Sequence, residues 1–87
     1  MEGRIIRTVA RAVIAAWQDK GGDDTIDNQQ VLGRAEGEAT SDDVSEALGY
    51  LGFRSCIEAT STPTLDNRQG ITIHNVDIDC LRHYTGD

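Results

Sequence analysis

The sequence predicts a small α+β domain in which three helices are followed by a two-stranded β-hairpin. Three observations predict it. Apolar residues recur at spacings of three and four as far as Leu51, then alternate. Cap-forming and turn-forming residues stand at the joints between these stretches. At 87 residues the chain has room for one modest core, so 1–87 reads as a single domain.

The first helix spans 3–19, with Ile6, Val9, Val13, Ala16 and Trp17 on one face. Ile5, Ala12 and Ile14 widen that face, which predicts burial on two sides, within the domain or at a dimer contact. Lys20-Gly21-Gly22 ends the helix with a cation and then glycine. Thr25–Ile26 has room for a very short strand. Asp27 or Asn28 caps a second helix through "NQQVLGRAEG", whose apolar side is Val31, Leu32 and Ala35. "EGEAT" turns, Thr40 or Ser41 caps the third helix, and Val44, Ala47, Leu48 and Leu51 form its inner face. Gly52 closes it. Two strands follow, 53–61 and 70–79, joined by the loop "TPTLDNRQG". Phe53, Ile57 and Ala59 share one parity. Ile71 and Ile73 share a face that Val76 and Ile78 do not, so a bulge is expected near His74–Asn75. The tail from Cys80 is expected to form one turn and fray.

Formal net charge is −7, unevenly spread. Residues 1–20 carry +2, residues 21–66 carry −8 and residues 67–87 carry −1. The acidic middle should be repelled by nucleic acid and anionic membranes and drawn to basic partners. No stretch approaches the roughly 18 apolar residues that span a bilayer. "MEGRIIR" lacks the uninterrupted apolar core of a secretory signal. A cytoplasmic location is expected, with Cys56 and Cys80 as reduced thiols.

The order helix, short strand, helix, turn, helix, strand, long loop, strand resembles that of winged-helix domains. The resemblance is carried by "VLGRAEGEATSDDVSEALGYLGFRSCI", with its spaced apolar residues, tight turn, capped second helix and exit into a strand. Loop 62–70 stands in the place of the wing. The resemblance implies a small winged-helix-like fold. Members that bind DNA carry basic or amide side chains on the outer face of the second motif helix and in the wing. The matching positions here are Asp42, Asp43, Ser45, Glu46, Gly49 and Tyr50, and the wing offers only Arg68 with Asn67 and Gln69. Groove reading on that helix is therefore not expected.

The candidate contact surface is acidic: Asp42, Asp43 and Glu46, with Glu36 and Glu38 before them and Tyr50 as the aromatic anchor. Its bland reading is helix N-terminal charge, but five acids within eleven residues exceed what capping needs. The function expected is a small non-enzymatic module that binds a protein with a basic surface, around transcription or another nucleic-acid process. An inhibitor imitating the charge of DNA is one form of it. The alternative is a dimeric DNA-binding winged-helix regulator. It would pair through the first helix and use Arg4, Arg7, Arg11, Arg34, Arg54 and Arg68. Arg4, Arg7 and Arg11 form one helical stripe, which reads either as a phosphate-gripping strip or as an ordinary solvated face. A zinc site would need Cys56, His74, Cys80 and His83 to converge, and buried cysteine with surface histidine is the commoner reading. There is no glycine-rich phosphate loop and no nucleophile elbow, so neither catalysis nor a cofactor is expected.

Overall fold

The computed structural model describes residues 3–22, 25–35, 37–63 and 69–86. The chain runs α1 (Gly3–Asp19), β1 (Ile26–Asp27), α2 (Asn28–Arg34), α3 (Ser41–Phe53), β2 (Ile57–Pro63), β3 (Gln69–Val76) and α4 (Ile78–Thr85). Among the described residues it is a small α+β fold of four helices and a three-stranded antiparallel sheet in the order β1-β3-β2. To the expected three helices and two-stranded hairpin it adds α4, and the very short strand expected at Thr25–Ile26 lies at Ile26–Asp27 and joins the hairpin as a third strand.

α1 buries Ile5, Ile6, Val9, Ala10, Ala12, Val13, Ala16 and Trp17, and it packs against α2, α3 and α4. It ends as its sequence requires. The Gly21 N–H donates to Gln18 O at 3.0 Å and the Gly22 N–H to Trp17 O at 3.1 Å. Both glycines hold positive φ, 75° and 79°, which costs a residue without Cβ little. Asp27 and Thr40, the first of each pair of expected caps, start the next two helices. Asp27 Oδ1 accepts from the Gln30 N–H at 2.8 Å, while Gln30 Oε1 accepts from the Asp27 N–H at 2.9 Å. Thr40 and Asp43 repeat that reciprocal box at 3.2 and 3.1 Å. α2 stops at Arg34 rather than running on through residue 37. Beyond it the backbone turns at Gly37, with φ 86°, and the Glu38 and Ala39 N–H groups both donate to Ala35 O.

α3 extends past Gly52 to Phe53. Its end is a left-handed residue at Ser55, φ 65°, with the Ser55 N–H on Gly52 O at 3.0 Å and the Cys56 N–H on Leu51 O at 2.9 Å. Phe53 is thus helical and exposed, not the first inward residue of a strand, and Ala59 is exposed too. β2 begins four residues later than expected. Its ladder with β3 pairs Glu58 with Asn75 but Ala59 with Ile73, which leaves His74 as the extra residue of a bulge. The bulge expected near His74–Asn75 is present. β1 adds to the other edge of β3 through Ile26 and Ile73. Asn28 is buried at that joint, and its Oδ1 accepts from the Ile71 N–H at 3.1 Å.

The tail expected to fray is helical from Cys80 to Thr85. Asp77 caps α4 by accepting from the Cys80 N–H at 3.1 Å, Leu81 and Thr85 are buried, and Gly86 closes the helix at φ 80°. Cys80 forms a disulfide with Cys56, their Cα atoms 5.2 Å apart. The reduced-thiol expectation is corrected, and with it goes part of the case for the cytoplasm, where such bonds are rare.

Candidate functional site

The helical period of α3 decides what its outer face presents. Asp42, Glu46, Gly49, Tyr50 and Phe53 follow one another at steps of three, four and one, and all are exposed. The inner face is Val44, Ala47, Leu48 and Leu51, all in the core. The outer face therefore has two ends. Near the N-terminus it carries carboxylates and no cation. Near the C-terminus it carries aromatic rings: Phe53 is 83% exposed and Tyr50 38%, the exposed large hydrophobics among the described residues.

The aromatic end is built by α4. Tyr84 meets Tyr50 edge-on, with ring centroids 5.9 Å apart and planes at 89°, a favoured arrangement for two rings. His83 meets Tyr84 in the same manner at 5.8 Å and 81°. Arg54 Nε donates to Tyr84 Oη at 3.0 Å. That contact holds the Tyr84 phenol below its ordinary range, because the guanidinium favours the phenolate. The Arg54 guanidinium is pushed up by the same partner. Phe53, Arg54, His83 and Tyr84 line a hollow of about 620 Å³ together with Asp77 and Asp79. Tyr84, in the tail expected to fray, is thus the residue that meets Tyr50 and holds Arg54.

The other expected contact residues part company. Asp43 is half-buried, and its carboxylate accepts the Thr40 N–H, so its role is to start α3. Glu38 lies among arginines instead of on the α3 face. Glu36 lies outside the described residues. Of the arginines of the nucleic-acid alternative, Arg4, Arg7, Arg11 and Arg34 line one cleft, Arg54 sits on Tyr84, and Arg68 lies outside the described residues. Arg34 also pairs with Asp19. The apolar width of α1 that pointed to a dimer is covered within the chain by α2, α3 and α4.

The disulfide removes both thiols from any zinc site. His74 Nε2 lies 2.8 Å from Thr60 Oγ1 across the hairpin, and His83 stands on α4 against Tyr84. Among the described residues no helix is long and apolar enough to cross a membrane. No protein-family model matches the chain, and no curated protein or solved structure matches it.

Proposed function

We propose that this chain is a winged-helix-like binding module without catalytic activity, acting through protein contact on the outer face of α3. The partner presents basic side chains to Asp42 and Glu46 and an apolar pocket to Phe53 and Tyr50. One observation carries the reading: Phe53 is 83% exposed beside Tyr50, on the same helical face as two carboxylates. Aromatic anchors beside charge are the usual centre of a protein interface. The charge sign supports a basic partner and opposes duplex DNA on this helix. The winged-helix part rests on the order of elements alone, to which α4 is an addition. A DNA-reading dimer is less well supported, because α3 presents carboxylates on its outer face and the apolar face of α1 is covered within the chain. A process around transcription follows only from the resemblance.

The test is affinity capture with the wild-type chain, an Asp42→Lys/Glu46→Lys variant, a Phe53→Ala variant and a Glu58→Lys control on β2. Asp43 is left intact so that the cap of α3 survives. The expected result is a partner held by the wild type and the control, released as salt rises, and lost from both α3 variants. The same partner retained by both α3 variants with an unchanged salt profile would overturn the reading.

A further inference from the structure

The Cys56–Cys80 bond lies at the aromatic end of α3. Cys56 follows the left-handed Ser55 at the exit of that helix and is wholly buried, with its N–H on Leu51 O. Cys80 stands in the first turn of α4, half-buried, its N–H taken by the Asp77 cap. It lines the hollow that Phe53, Arg54, His83 and Tyr84 also line. One half of the bond is therefore in the core and the other at a surface hollow. Structural cysteines are inert where burial keeps reagents out, and a hollow of about 620 Å³ admits one.

The bond also reaches the contact face. Tyr84 follows Cys80 by one helical turn, so the two share a face of α4. Tyr84 meets the Tyr50 ring at 5.9 Å and accepts from Arg54 Nε at 3.0 Å. Where Cys80 sits therefore sets where Tyr84 sits. Two thiols in contact need more room than two bonded sulfurs. Cys56 is packed into the core and cannot give way, so reduction moves Cys80 and the face of α4 that carries Tyr84. The rest of α4 stays anchored. Leu81 and Thr85 are buried, Arg11 Nη2 donates to Thr85 O at 3.2 Å, and the Asp77 N–H donates to Cys56 O at 2.8 Å. The two thiols remain neighbours, placed to close again.

We propose that the Cys56–Cys80 bond is a redox latch on the aromatic end of α3, closed with Tyr84 seated on Tyr50 and opened by a dithiol reductant. A thiolate of the dithiol attacks Cys80 from the hollow and forms a mixed disulfide with it. Cys56 leaves with the bonding electron pair and takes the proton that the attacking thiol gave up, since burial favours the neutral thiol. The second sulfur of the dithiol then displaces Cys80, which takes the second proton. The dithiol ends as a disulfide, oxidised by the two electrons that the protein gains. The effect on a partner rests on the reading of α3 as a contact face, and the latch itself does not.

The test uses the wild-type chain and dithiothreitol without denaturant. Both cysteines should become titratable by a thiol reagent while the far-ultraviolet circular dichroism spectrum keeps its helical form. The nuclear Overhauser cross-peak between the Tyr50 and Tyr84 rings should be present in the oxidised chain and lost on reduction. It should return when oxidised glutathione remakes the bond. Cys80→Ser is open without any reductant, so it serves in the affinity capture, where the partner's own disulfides must stay intact. It should hold the partner roughly two- to tenfold less tightly than the oxidised wild type, the worth of one aromatic pair. Should that variant fail to fold, the cross-peak in the reduced wild type still decides. Thiols that stay closed to dithiothreitol overturn the proposal. So does a cross-peak that reduction leaves unchanged, or loss of the helical spectrum, which would make the bond a plain staple. A partner held equally by Cys80→Ser and the wild type overturns the latch and keeps the contact reading. A chain that captures nothing, yet loses and regains its cross-peak, keeps the latch and sinks the contact reading.

Discussion

Arg54 and Tyr84 show what one contact sets at the surface. The guanidinium lowers the phenol of Tyr84 from its ordinary value, and the sign of the consequence follows. A group whose pKa is lower folded than unfolded stabilises the fold only when it is ionised. Below the lowered value the phenol is protonated in both states and the effect is absent. It appears as pH rises through the lowered value and is complete above the unfolded value of about 10. Absorbance of phenolate during a pH titration should therefore show one tyrosine ionising early, and Arg54→Gln should return it to the ordinary range. Identical curves for the two proteins would mean that the contact does not form in solution. The contact also matters to the α3 face, because Tyr84 is the ring against which Tyr50 is set.

At the scale of elements, α4 is held by Leu81 in the core, by the Arg11 contact to Thr85 O, and by the bond from Cys80 to Cys56. That bond spans 24 residues of chain. Closing a loop of this size in the unfolded state is worth about 3 kcal/mol, a large share of what a small domain has. Denaturant unfolding with and without a thiol reductant should differ by about that amount, and coincident curves would mean that the thiols are free. The sequence reading missed this element for a physical reason. Ile78, Leu81 and Tyr84 are too few to establish a period, and whether two cysteines meet depends on packing between distant segments. The first three helices were legible because caps and apolar spacing are local, as the boxes at Asp27 and Thr40 illustrate. Asp42, Glu46 and Tyr50 were legible as one face for the same reason. Phe53 was not, because it fits the parity of a strand as well as the face of a helix. The conformation of Ser55, not the nearest glycine, decided between them. Arg34 beside the α1 arginines needed the α1–α2 packing, which no spacing in the sequence encodes.

At the scale of the whole molecule, net charge and size combine. The molecule measures 38 × 29 × 23 Å and carries −7. At 0.01 M salt the screening length is about 30 Å, so nearly every carboxylate feels every other one and self-repulsion opposes the compact state. At 0.15 M it falls to about 8 Å, and only neighbours remain coupled. The unfolded chain spreads the same charge over a larger volume, so it suffers less repulsion and gains less from screening. The thermal midpoint should therefore rise with sodium chloride between these concentrations, before any specific ion effect enters. The exposed Arg34–Asp19 pair works the other way but is a small term, since pairs in solvent contribute about 0–1 kcal/mol. A scanning calorimetry series at fixed pH checks the balance. A midpoint that stays level or falls would mean that attraction between the basic stripe of α1 and the acids of the rest of the chain outweighs the repulsion among those acids.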